Sequence, residues 1–174
     1  MTAPIDLYFW PTPNGWKISI ALEEMALPYT THLVDLYNKG QFDPDFLRVS
    51  PNNKIPAITD PDGPDGAPIH IFESGAILLH LAEKFGAFLG APEDRPEMLS
   101  WLFWQMGSAP YLGGGFGHFY AYAPEPMEYP INRFTMEAKR QLDVLDKRLA
   151  ETRYLVGEDY TIADMAIWPW YGQL

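Results

Sequence analysis

The chain has 174 residues, no cysteine and a formal net charge of −11, from 12 basic against 23 acidic side chains. Its 47% apolar and 15% aromatic content suits a folded globule rather than a disordered chain. The acidity, unbroken by any Lys/Arg-rich run, disfavours nucleic acid and anionic membranes as partners; the lack of cysteine excludes a disulfide framework, a thiolate nucleophile and a zinc–thiolate site.

Residues 1–6 have neither a basic flank nor an apolar core of signal-peptide type, and no apolar stretch is long enough for a bilayer, so a cytoplasmic protein is expected. Residues 5–10 read as a short strand, which Pro11, Pro13 and Gly15 break. From Trp16 the spacing turns helical: Ile18, Leu22 and Met25 recur every three to four residues, with Lys17, Glu23 and Glu24 on other faces. Pro28 ends that helix, and residues 29–36 read as a second strand. The unit is a strand–helix–strand crossover with parallel strands. A polar loop and a short helix over 44–49 precede a third strand, which Ile55-Pro56 opens. The Asp-, Pro- and Gly-dense stretch 60–68 reads as a hairpin loop, and 69–72 as a fourth strand. Glu73-Ser74-Gly75 then turns the chain into a helix with Ile77, Leu78, Leu81 and Ala82 on one face; Ser74 is the expected N-cap. The order β-α-β-α-β-β-α, with a proline heading the third strand, is the thioredoxin topology, and it predicts a first domain over 1–87.

Residues 88–96 read as a linker and 97–174 as a helical domain. Residues 109–129, rich in Gly, Pro and aromatics, read as kinked or irregular. Residues 131–149 form an amphipathic helix, with Phe134, Ala138, Leu142, Leu145 and Leu149 at helical spacing. Thr161 and Asp164 make a capping box at the head of a further helix. The aromatics between Trp101 and Tyr122 read as core. The sequence stops about three turns into the last helix, leaving Trp168, Trp170 and Tyr171 in need of cover, so a further portion beyond Leu174 is expected. The four histidines show no metal-site spacing, and no metal is expected.

Residues 6–15, 51–58, 72–77 and 160–164, in this order and on these elements, resemble a glutathione transferase. The Thr12-Pro13-Asn14-Gly15 turn and the doubled Asn before Lys54 are similar to the bacterial nu class, the glutathione-dependent disulfide-bond reductases. The resemblance implies a thioredoxin-like domain followed by a helical transferase domain, glutathione as co-substrate and a homodimer. It makes Thr12 and Asn14 the groups that hold the glutathione thiolate, in place of a catalytic Tyr, Ser or Cys. Taken alone, Thr12 and Asn14 are equally turn and helix-capping residues. As donors at a helix N-terminus they would favour thiolate over thiol.

The remaining site expectations follow the same resemblance. Ile55-Pro56 reads as a cis bond that turns the Ile55 backbone toward the cysteinyl part of glutathione. Glu73 receives the γ-glutamyl ammonium, and Ser74 with its helix N-terminus the α-carboxylate. Gln41 and Lys54 are expected at the glycyl carboxylate, and Arg133 at glutathione, reaching in from a partner subunit. Tyr8, inside its strand, and Arg140 are given no functional role.

Without cysteine, any redox work must use the thiol of bound glutathione, attacking a small disulfide or an aromatic electrophile; glutathione disulfide also suits the pocket. β-Ether cleavage or peroxide reduction at the same site is the nearest alternative. A non-catalytic, glutathione-binding regulatory module is the alternative of another class.

Overall fold

The computed structural model describes residues 3–172, and the chain divides between Ala87 and Phe88 into two compact units. The first contains β1 (Ile5–Phe9), α1 (Pro13–Glu24), β2 (Tyr29–Leu33), α2 (Pro44–Val49), β3 (Ala57–Asp60), β4 (Ile69–Phe72) and α3 (Ser74–Phe85), the order that the sequence predicts. The sheet runs β2-β1-β3-β4. β1 is parallel to β2 and antiparallel to β3, which is antiparallel to β4.

Strand alternation sorts the core. Tyr8 and Ala57 lie opposite each other and join Val34, Phe46, Val49 and Ile55 on the α2 side. Their neighbours Leu7 and Ile58 therefore face the other way, where α1 and α3 pack together and bury Ile18, Leu22, Ile77, Leu78 and Leu81. Burying each such side chain is worth roughly 1.5–3 kcal/mol.

One ionic cluster lies inside this unit. Asp60, 1% exposed, accepts from His80 at 2.7 Å, from Lys84 at 2.8 Å on each carboxylate oxygen, and from the Asp62 N–H at 3.0 Å. Burial pushes this carboxyl up, but the bonds from Lys84, His80 and Asp62 outweigh it and hold it below its ordinary range.

In the second unit α4 (Arg95–Pro110) runs into a π-helical segment (Tyr111–Tyr122), followed by α5 (Glu128–Glu151) and α6 (Ile162–Tyr171). The Gly-rich tract, expected to be irregular, is thus mostly a widened helix. Its glycines explain how. A β-carbon on Gly113 would lie 2.7 Å from the Trp170 indole, and one on Gly115 2.5 Å from the Phe134 ring, so both rings press on bare backbone. Phe119 stacks on Phe134 at 5.5 Å. The aromatic run is not all core, however: Phe103, Tyr120 and Tyr122 are 63%, 68% and 79% exposed. Residues 88–96 carry contacts of this unit, for the Ile162 N–H donates to the Phe88 carbonyl and the Phe88 ring meets Tyr160 at 5.8 Å. Arg140 pairs with Glu137, and that bond with one from Gln141 holds the Glu137 carboxyl down at about 2. Among the described residues no helix is long and apolar enough to cross a membrane.

Candidate functional site

Three backbone runs of the first unit end side by side. The register Tyr8↔Ala57 puts the exit of β1 next to the start of β3, and Ala57↔Phe72 puts the exit of β4 there too. Residues 10–15, 53–56 and 73–75 therefore share one edge of the sheet.

At the first run the chain turns tightly, the Thr12 N–H donating to the Trp10 carbonyl at 2.7 Å. Thr12 is the N-cap of α1, its hydroxyl accepting from the Gly15 N–H at 3.4 Å, and Pro13 opens the helix. The helix thus begins three residues before the apolar periodicity does, because cap and proline sit ahead of the stripe. Glycine is required at 15, where a β-carbon would collide with the Trp10 carbonyl and touch the Phe9 ring. The capping role does not exhaust Thr12: a hydroxyl that accepts one bond still has a proton to give. Asn14, half-buried in the first turn, stands beside it. Both expected thiol-holding residues therefore lie at the positive end of a 12-residue helix.

At the second run the Ile55–Pro56 bond is cis, as expected, and β3 proper starts only at Ala57. Ser50 fixes the approach by donating from its hydroxyl to the Lys54 carbonyl at 2.8 Å. The Lys54 side chain is exposed. Gln41 lies in the 3₁₀ turn Gly40–Phe42 and buries its Oε1 without a hydrogen-bond partner among the described residues, an orphan that a ligand donor would relieve. Among the described residues, neither Lys54 nor Gln41 makes a side-chain bond to the Thr12, Ile55 or Ser74 runs.

The third run corrects the capping assignment. Glu73, not Ser74, is the N-cap of α3, and it makes no side-chain capping bond. Its backbone is left-handed at φ 73°, a conformation of the kind that functional sites retain at a cost of about 1–3 kcal/mol. The N-terminal N–H groups of α3 thus have no side-chain cap and face the shared edge, ready for an anion. The Glu73 carboxylate accepts from Asn52 at 3.3 Å. Ser74, 6% exposed, is the first residue of the helix.

Lys17 is the residue that sequence reasoning missed. Placed by periodicity on a polar face of α1, it is 1% exposed and donates from its ammonium to the Ser74 hydroxyl oxygen at 3.3 Å. Burial brings the ammonium down from its usual range to about 7, against the Glu73 carboxylate, which holds it up. Position 17 is one turn before buried Ala21, and that flank of the apolar stripe was the available signal. Tyr8 packs in the α2-side core and stacks on His32 at 5.1 Å. Arg133 is an exposed residue of α5 in the second unit. Among the described residues no group of three or more His, Cys, Asp or Glu gathers as a metal site.

Residues 12–84 match the family model of the glutathione S-transferase N-terminal domain, and residues 128–174 that of the C-terminal domain. The chain is 54% identical over 180 residues to the disulfide-bond oxidoreductase YghU of Escherichia coli, covering 98% of itself and 61% of that protein. It is 53% identical over 168 residues to the disulfide-bond oxidoreductase YfcG of the same species, covering 95% of itself and 78% of the relative. A crystal structure of glutathione transferase YghU from Streptococcus pneumoniae, complexed with glutathione, superposes with a TM-score of 0.94 at 56% identity, over 98% of this chain and 67% of that one. The chain thus spans between three fifths and four fifths of these relatives' length.

Proposed function

Because the chain belongs to the glutathione S-transferase family, we propose that it reduces disulfides with the thiolate of bound glutathione. The observation that carries this is the turn from Thr12 to Gly15, which places a hydroxyl and an amide at the head of α1, in a sequence of 174 residues that has no cysteine. On this reading the sulfur that reacts comes with the ligand. The relatives' names as disulfide-bond oxidoreductases support the reaction class, and the solved glutathione complex supports the ligand.

Glutathione lies along the shared edge. Its γ-glutamyl carboxylate is received by Ser74 and the open N-terminus of α3, and its ammonium by Glu73. Its cysteinyl backbone runs beside Ile55, strand-like. The thiol then falls at Thr12, Asn14 and the first N–H groups of α1, which favour the thiolate. That thiolate attacks one sulfur of a substrate disulfide; the sulfur–sulfur bond breaks, the other sulfur leaves as thiolate and takes a proton from water. A second glutathione thiolate attacks the mixed disulfide, giving glutathione disulfide and the second substrate thiol. Two glutathiones supply the two electrons. A glycyl-end role for Gln41 and Lys54, a glutathione contact by Arg133, a homodimer and a cytoplasmic location complete the reading, each on resemblance.

The test is glutathione-dependent reduction of a small disulfide by the wild type, Thr12→Ala and Asn14→Ala. Losing a hydrogen bond to a charged group is worth roughly 1.5–3 kcal/mol, so each variant should lose about 10- to 100-fold in kcat while glutathione still binds. Binding without turnover in the wild type would overturn the reductase reading in favour of a binding module; turnover with aromatic β-ethers alone would favour a lyase.

A further inference from the structure

Two charged side chains are buried among the described residues, Asp60 and Lys17. Asp60 is held by His80 and Lys84 within the sheet-side cluster, whereas Lys17 reaches a residue of the candidate site. It enters the interior from α1 and ends at Ser74, whose hydroxyl oxygen accepts from it at 3.3 Å. An ammonium has only hydrogens to offer, so in this contact Ser74 is the acceptor, and its own hydroxyl proton points elsewhere. On the other side of Ser74 is the α3 N-terminus, which no side chain caps.

We propose that Lys17 is a positioning residue for glutathione: its buried ammonium, behind Ser74, is the counter-charge for the γ-glutamyl α-carboxylate, so that binding is coupled to a proton at Lys17. This deepens the reading of Ser74 as the carboxylate receptor and rests on it. A carboxylate bonded to Ser74 would come within about 4–6 Å of the ammonium, where an opposite charge markedly favours the charged form. The low dielectric around a 1%-exposed side chain strengthens that attraction.

The charged groups around Lys17 decide the sign. From α3, Glu73 is the one whose charge acts on it. His80 and Lys84 lie farther along that helix, bonded to Asp60 of β3, and Glu83 is exposed there too. Asp6 of β1 is paired with His32, and Glu23 and Glu24 sit at the exposed end of α1. In the free protein Lys17 loses its proton near pH 7. An anion bound at Ser74 favours the protonated form, so binding raises this value and takes up protons near and just above neutrality. Affinity is therefore full below about pH 6, where Lys17 is charged already, and falls as pH rises toward about 8.5.

The experiment is calorimetric titration of the full chain with S-methylglutathione, whose capped sulfur cannot titrate, in buffers of different ionisation enthalpy. The wild type should show Kd rising about 10-fold between roughly pH 6 and pH 8.5, with net proton uptake. Lys17→Met should bind weakly at all these pH values, without uptake. Lys17→Arg, whose charge does not titrate, should restore binding with a flat profile, a rescue that a purely structural lysine would not give. Wild-type binding that is flat with pH and takes up no proton would overturn the role of Lys17 and leave the site reading standing. No wild-type binding at any pH would overturn both.

Discussion

Helices α3 and α6 begin with the same two kinds of side chain, an acid and a hydroxyl, and use them in opposite ways. At α6 the hydroxyl comes first. Thr161 accepts from the Ala163 N–H at 3.3 Å, and Asp164 returns the bond by accepting from the Thr161 N–H at 2.9 Å. Asp164 also takes the Leu155 N–H at 2.9 Å, so that end of the helix is closed by its own chain. At α3 the acid comes first. Glu73 occupies the cap position in a left-handed conformation, makes no capping bond, and leaves Ser74 on a buried lysine. One helix end is satisfied by folding; the other is left without a side-chain cap. The order and spacing of the two residues separate the two outcomes, for the box at α6 needs its acid three residues after the hydroxyl.

The comparison predicts where stability and binding part company. The largest effect on folding should come from the other self-satisfied cluster: Asp60→Ala leaves His80 and Lys84 without their carboxylate and should cost about 3–5 kcal/mol in a denaturant titration near pH 7. Because the folded protein holds the Asp60 carboxyl below its ordinary range, its contribution is present above the unfolded carboxylate value and is lost as pH falls. The gap between wild type and variant should therefore shrink below about pH 4. Asp164→Ala should come next, at roughly 1–2 kcal/mol, with the Kd for glutathione unchanged where the variant is folded. Glu73→Gly should show the smallest effect and the opposite sign. Relief of the left-handed residue should stabilise the chain by about 0.5–1 kcal/mol while glutathione binding weakens. A Glu73→Gly protein that is less stable and binds as well as the wild type would break the distinction between the two helix ends.

Much of this was legible in the chain. Strand alternation, Pro and Gly placement and the 3.6-residue stripe yield the order of strands and helices along the chain, because those signals are local. The Thr161–Asp164 box is legible for the same reason, as both partners lie in one turn. The capping of α3 and the burial of Lys17 are not. Periodicity assigns a face, and a lysine beside the stripe is ordinarily given to solvent. Only the packing of α1 on α3 brings position 17 to position 74. The π-helical run from Tyr111 was hidden because Gly-rich sequence signals loss of structure, whereas here the rings of Trp170 and Phe134 supply the shape.

That run carries a mutational grammar of its own. Gly113, Gly114 and Gly115 are identical neighbours, yet a methyl group on the middle one meets open space, while on either flank it strikes an aromatic ring. The same codon change, shifted by a single position, passes from silent to disruptive. A deletion that leaves two glycines in place would keep the composition and lose the pattern, since it is the phase of the rings that distinguishes one glycine from the next.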